Sequence, residues 1–362
     1  LDGDCEFDAV TVSSGDKLDL NGKRMVTSGT LSLVDGSNFD ASGGSFAYCN
    51  NFDNATTGTI TTDDNSFLIL TGSGVGSDWQ TNSKAPFRNV VINSSGTITA
   101  NGNQDLDSDM KKVIIGAGTL STTGSNYDVN ASDMTIATGG ILTANGSELT
   151  VSGDFTTSGG LIGASAITLD GTDQHYSTVS AVAVGTNSAW TIEGWMKRTT
   201  STGNEVFVEL KTASNNNNRV FFNIDTDDVQ MLIYSNSGSQ AVVATANQGL
   251  NDDKWHHVAC TYDSTTAKIY IDGKLITSEV ISKTMDNTDD RVINIGANVG
   301  TYANGFTGSI DEVRIWDDVR DVDEIRDNMF KEVSSGNGLV QNWRFNEGSG
   351  DTASANVGTS LN

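Results

Sequence analysis

The chain has 362 residues, 21 Lys+Arg against 46 Asp+Glu for a formal charge of −25, 39 glycines and one proline. So acidic a surface repels phosphate backbones and anionic headgroups, which makes nucleic acid and membrane surfaces poor partners. The longest apolar stretches, such as Val113-Ile114-Ile115, fall far short of the roughly 20 residues a membrane helix needs. Apolar positions recur too regularly for a disordered chain, so composition reads as soluble, acidic and β-rich. There is neither an initiator Met nor a charged-then-apolar leader at Leu1, and the expectation is a mature product or a fragment.

The N-terminal part is periodic. Gly96-Thr97-Ile98-Thr99, Gly118-Thr119-Leu120-Ser121 and Gly140-Ile141-Leu142-Thr143 start 22 residues apart, each after a β-branched run and before a turn pair. Looser copies begin at Gly29 and Gly58. A fixed period of this length predicts a stacked-repeat fold. The residue types favour short strands over helix, so the expectation is a parallel β-solenoid over residues 1–163. Ile98, Leu120 and Leu142 should stack inward in successive coils about 4.8 Å apart, roughly seven coils in all. An antiparallel sandwich with accidental similarity is the alternative. Residues 62–89, with Gly72 to Asp78, Trp79 and Pro86, interrupt the pattern and are expected to emerge as a loop.

Chemistry is sparse in this half. Asp105, Asp107 and Asp109 form its densest acid cluster, readable as a cation or catalytic site or as a solvated turn. Cys5 and Cys49 are two regular coils apart, beyond disulfide reach unless residues 5–49 make one enlarged coil.

From Ile167 onward tryptophans multiply and strands lengthen. Ala189 to Met196 alternates, with Trp190, Ile192 and Gly194 on one face and Glu193 opposite. Further strands are expected at Val206–Leu210, Val220–Ile224, Val229–Tyr234, Trp255–Tyr262 and Ala267–Ile271. Asp272-Gly273 is a type I′ hairpin signal. Asp321 and Glu324 make a capping box for a short helix whose Val322, Ile325 and Met329 share a face. Gly338 to Gly348 reads as a closing strand within a final segment, 335–362, that starts to border something further. About a dozen strands with close turns indicate a two-sheet jelly roll over 164–362.

Several ordered motifs here carry a resemblance. Ile167 to Gln174 and Trp190 to Trp195 resemble the opening of the laminin-G-like, concanavalin A-like lectin/glucanase jelly rolls. Lys254 to Asp263 with Lys268 to Lys274 is similar to their central hairpin, and Phe306 to Trp316 to their closing strand. The resemblance covers about 166–332. The whole chain is thus expected to be all-β, a solenoid like phage-fibre or adhesin repeats followed by a concanavalin A-like sandwich with one short C-terminal helix. The resemblance implies a structural Ca²⁺ on Asp311, with Asp170 and Gly171 as weaker candidates, since a hard cation suits carboxylate and carbonyl oxygens.

Catalysis is not expected. Glycoside hydrolysis on this fold needs alternating acids on one strand face, and Asp311-Glu312 are adjacent, hence on opposite faces. His256 and His257 also point to opposite sides and cannot share a metal. Candidate glycan contacts lie in loops at Asn215 to Asn218, Asp225 to Asp228, Asn298 and Tyr302. The functional expectation is a non-enzymatic structural or adhesive protein, extracellular or on a virion or cell surface. It would present the jelly roll to a glycan or protein and assemble with copies of itself or other surface proteins. A polysaccharide depolymerase working along the solenoid and a soluble calcium-dependent lectin are the alternatives.

Overall fold

Every strand pairing described between Cys5 and Thr157 is parallel. The computed structural model describes all residues except 73–76, 81–86, 102–109, 123–128, 145–146, 158–160, 163–164, 173, 185–188, 200–202, 213–218, 236–237, 245–247, 284–290, 299–303, 348–349, 351 and 362. It divides into two units, Leu1–Leu161 and Ile162–Asn362.

The first unit is a three-sided parallel solenoid. One side runs Cys5–Phe7, Arg24–Thr27, Phe46–Cys49, Phe67–Leu70 and the first half of Asn89–Asn101. It continues through the first half of Lys112–Ser121 to Asp133–Ile136 and Phe155–Thr157. A second side takes Val10–Val12, Thr30–Leu33, Asn51–Asn54, Ser77–Gln80, the later halves of the two long strands, and Gly140–Thr143. Short strands at Lys17–Asp19, Asn38–Asp40 and Ile60–Thr61 close the third. Ile98 lies opposite Leu120, and Leu120 opposite Leu142, the column that the 22-residue period demands. Ile98 and Leu120 are buried and Leu142 half-buried. No coil buries its apolar side alone, so this stacking is what stabilises it.

The repeated glycine has a steric cause. A Cβ on Gly29 would meet the Asp8 carbonyl oxygen at 2.5 Å, one on Gly118 the Gly96 carbonyl oxygen at 2.6 Å, and one on Gly140 the Ile115 carbonyl oxygen at 2.1 Å. The backbone of the preceding coil passes directly beneath each corner, where only glycine fits.

Two expectations for this unit are corrected. Within 62–89 the described residues include coil strands, Phe67–Leu70 and Ser77–Gln80, and Trp79 is buried in the core; residues 73–76 and 81–86, with most of the glycine run and Pro86, lie outside the described residues. The large aromatics Phe52, Trp79 and Phe87 replace the aliphatic signature there, which hid the coil from the period. The Gly58 copy belongs to the third side, since Ile60 pairs with Phe39. Cys5, Cys49 and Cys260 are free. Cys5 pairs in register with Met25, and Met25 with Ala47, so Cys49 is two strands away. The Asp105, Asp107 and Asp109 cluster lies outside the described residues.

In the second unit the described strand pairings are antiparallel, in two sheets. The eight-stranded sheet runs Lys274–Val280, Thr266–Ile271, Trp255–Tyr262, Trp190–Lys197, Thr307–Trp316, Leu339–Trp343 and Ala355–Val357, with Ile167–Asp170 also on Thr307–Trp316. The six-stranded sheet runs Tyr176–Ser177, Arg291–Ile295, Asn204–Thr212, Arg219–Asp225, Asp228–Ser235 and Gly238–Ala244. Their inner faces share one core, including Trp190, Ile192, Cys260, Phe207, Phe222, Ile293 and Ile315. Asp272 and Gly273 both have positive φ, 48° and 67°, as the type I′ turn requires. The helix Val322–Met329 carries the expected capping box, Asp321 accepting from the Glu324 N–H and Glu324 from the Asp321 N–H. Among the described residues no helix is long and apolar enough to cross a membrane.

Candidate functional site

The expected cation set does not converge. Asp170 pairs with Thr307, whereas Asp311 lies four residues further along the same strand, about 13 Å at strand rise. Asp311 is buried and accepts the Ile162 N–H at 3.0 Å; Asp170 is exposed and turns back on Thr172, whose hydroxyl and N–H lower its pKa. Gly171, at φ 80°, abuts the Thr307 hydroxyl. Strand register therefore separates Asp311 from Asp170 and Gly171, and these residues do not form one calcium site. No cluster of three or more His, Cys, Asp or Glu side chains suited to a metal occurs among the described residues.

The outer face of the eight-stranded sheet holds a buried charge network beneath the helix. Arg314 donates to Glu312 Oε2 at 2.7 Å and lies 3.6 Å from Glu193 Oε1, which also accepts from Trp316 Nε1 at 2.9 Å. Arg314 and Trp195 further donate to the Asn328 and Met329 carbonyls, groups the helix C-terminus leaves without intrahelical partners. Burial raises the Glu193 carboxyl above its ordinary range, although Arg314 and Trp316 oppose the shift. Glu193 and Arg314 are each 1% exposed, and Arg314 and Trp195 bond the end of the helix, so this network docks the helix.

The two histidines do face opposite ways. His257 lies 3.6 Å from Glu193 and edge-on to Trp195; burial, and secondarily Arg314, lower its pKa to about 3. His256 is held between Asp272 at 2.9 Å and Asp252 at 3.1 Å. Burial alone would lower its pKa, but the two carboxylates raise it to about 10.

The outer face of the six-stranded sheet carries a hollow. Along Arg219–Asp225, Val220, Phe222 and Ile224 enter the core, which turns Arg219, Phe221 and Asn223 outward. Register places Tyr234 opposite Arg219 and Leu232 opposite Phe221. An irregularity between Val206 and Val208 sets Val206 opposite Asn223. Together with Asn204, Asn298 and Asn304 these side chains line a hollow of about 90 Å³.

Within it, the Arg219 guanidinium lies 4.6 Å from the Phe221 ring centroid and 4.7 Å from that of Tyr234. Behind it Glu209, fully buried, stands 3.9 Å away and accepts from Asn294 Nδ2 at 2.7 Å; Asn294 in turn accepts from Ser177. This chain of polar contacts crosses four strands and fixes the arginine while neutralising it. Two polar atoms are buried without a hydrogen-bond partner among the described residues, Arg219 Nε–H and Asn223 Oδ1; the Asn223 amide nitrogen donates to Asn204 at 2.5 Å.

A larger hollow of about 150 Å³ is lined by Tyr176, Phe345 and Glu347 among others. Its polar groups are engaged internally: Tyr176 donates to the Gly350 carbonyl at 3.3 Å, and Glu347 accepts the Ser354 N–H at 2.7 Å. The smaller hollow is the better candidate because its unsatisfied groups need a partner from outside.

Of the residues singled out by sequence for glycan contact, Asn298 lines this hollow. Asp227 instead accepts the Gly249 and Leu250 N–H groups, a turn-building role. Asn215 to Asn218 and Tyr302 lie outside the described residues. Sequence reasoning missed Arg219, Phe221, Asn223, Leu232 and Tyr234, although the alternation of Arg219 to Asp225 carries the signal of a polar and aromatic outer face.

Residues 170–326 match the profile of the family described as the concanavalin A-like lectin/glucanases superfamily. No curated protein matches the chain significantly. Among solved structures, a Bacteroides ovatus protein proposed to bind carbohydrate is 22% identical, with TM-score 0.43 over 54% of this chain and 57% of that one. This chain thus spans little more than half of that protein. The CBM40 of a Ruminococcus gnavus IT-sialidase, bound to α2,3 sialyllactose, is 17% identical with TM-score 0.37 over 44% and 94%. A heptameric SAP-like pentraxin from Limulus polyphemus is 14% identical with TM-score 0.40 over 54% and 93%. The matched profile and the two antiparallel sheets agree on a concanavalin A-like fold for residues 170–326.

Proposed function

We propose that the protein is a non-catalytic glycan-binding protein that uses the hollow on the outer face of the six-stranded sheet, with the solenoid as its stalk or platform. The observation that carries this reading is the composition of the hollow: four asparagine amides, an arginine laid on two aromatic rings, and two buried polar atoms without hydrogen-bond partners among the described residues. Sugars offer both hydroxyl hydrogen-bonding groups and C–H faces, and such a surface answers both. No carboxylate lines the hollow among the described residues, whereas hydrolysis by paired acids needs two; this supports binding over cleavage.

The acidic surface suits a location outside the cell or on a virion. Assembly with a second copy or with another surface protein is part of the same reading.

The test is a glycan array probed with the full chain, with calcium and with EDTA, beside Tyr234→Ala. Binding that survives EDTA and is lost in Tyr234→Ala is expected. Binding abolished by EDTA, binding unaffected by the substitution, or release of cleaved sugar would each overturn the reading.

A further inference from the structure

The hollow's two orphaned atoms define what it should prefer, an inference that rests on the glycan-binding reading above. Asn223 Oδ1 is an acceptor on a side chain 1% exposed, and Arg219 Nε–H is a buried donor. Arg219 folds back over the Phe221 ring, which is the next outward residue before Asn223, so the donor and the acceptor border the same stretch of the hollow. Between and beside them the wall is apolar: Val206, Phe221 and Leu232. A group that satisfies this arrangement offers one N–H or O–H, one acceptor oxygen, and a small apolar end.

Charge narrows the class further. Glu209 stands behind Arg219 and cancels its charge locally, and the protein as a whole carries −25. A carboxylated sugar entering the hollow would meet a neutral pair inside a negative field, so the arginine acts as a donor rather than as an anion receptor.

We infer that the hollow recognises the acetamido group of a neutral N-acetylated hexosamine. The amide N–H donates to Asn223 Oδ1, the amide oxygen accepts from Arg219, and the methyl packs against Val206 and Leu232. A plain hexose carries a single hydroxyl in place of the acetamido nitrogen, too short to bridge both polar atoms, so it leaves one of them unpartnered and the apolar wall uncovered. A sialylated or uronic-acid glycan adds charge that the site does not complement.

The experiment titrates the full chain calorimetrically with methyl N-acetylglucosaminide, methyl N-acetylgalactosaminide, methyl glucoside, methyl galactoside and sialyllactose. At least one N-acetylated probe is expected to bind about tenfold or more tighter than its plain hexose, the scale of one net hydrogen bond. Asn223→Ala should reduce that preference to about threefold or less while plain-hexose binding persists. Arg219→Lys, which keeps the charge and loses the planar donor, should reduce it in the same direction. Equal binding of hexose and N-acetylated sugar, or tightest binding of sialyllactose, overturns the inference and leaves the glycan reading standing. Failure of all five probes when the array is positive also overturns the inference alone, and failure on probes and array together overturns both.

Discussion

The two units stabilise themselves by opposite means. In the solenoid, Arg24 is the one charged side chain buried among the described residues, and the interior is a set of apolar columns in register. In the sandwich, Glu193, Arg198, Glu205, Glu209, Arg291, Asp311, Glu312 and Arg314 are all buried. Parallel stacking of near-identical coils satisfies the backbone locally and leaves the side chains only shape to match. The sandwich joins strands distant in sequence, and several of its junctions are polar: the helix docks through Arg314 and Trp195, and Arg219 is held through Glu209 and Asn294. The lesson is that the solenoid should respond to changes of volume, and the sandwich to changes of charge and pH.

The sharpest way to break this contrast is Arg314→Met. It leaves Glu193 and Glu312 buried without their cation, and removing one partner of a buried pair costs about 3–5 kcal/mol. Urea unfolding followed by tryptophan fluorescence reads it well, because five of the six tryptophans lie in this unit. A shift below 1 kcal/mol would show that the network contributes little. The matching change in the solenoid is Leu120→Ala, expected to cost about 2–5 kcal/mol by the methylenes lost and the void left in the column. Far-UV circular dichroism with limited proteolysis between residues 89 and 143 would register it, and an unchanged protein would mean the column is not close-packed.

Acidity sharpens the same comparison. His257 is held neutral in the folded state, with its pKa lowered to about 3, so the unfolded chain binds the extra proton and sandwich stability falls as pH drops from about 6.5 toward 3. His256 is held protonated, raised to about 10, so its contribution is complete below about 6.5 and is lost as pH rises through 10. Each limb has a slope of up to about 1.4 kcal/mol per pH unit. His256→Gln should flatten the alkaline limb and His257→Gln the limb contributed by that ring on the acid side, as seen in unfolding midpoints across pH 4 to 10. A wild-type midpoint that does not fall on both sides of pH 6.5 would contradict the assignment. The smallest effect is Asp321→Ala, which removes the helix cap at about 1 kcal/mol and should appear as faster amide exchange over 322–326.

How much the sequence disclosed follows the same division. The 22-residue period gave Ile98, Leu120 and Leu142 as one column because each coil repeats the same local constraint, including the glycine that must clear the carbonyl beneath it. It failed at Trp79, where a large aromatic fills the interior and the repeat loses its aliphatic signature. In the sandwich, the Asp272-Gly273 turn and the Asp321–Glu324 box were legible since each is a local rule. The hollow was not, because Asn204, Arg219, Tyr234 and Asn304 meet only through antiparallel register across three strands and a return segment. Asp311 misled for the same reason: its register position, not its residue type, separates it from Asp170.

The most direct measurement is hydrogen–deuterium exchange of the full chain with and without the tightest glycan found on the array. Slowed exchange concentrated in 204–212, 219–225 and 228–235, with the solenoid strands unchanged, is the predicted result. Protection confined to strands between residues 5 and 157 would place the ligand on the repeats and contradict the account.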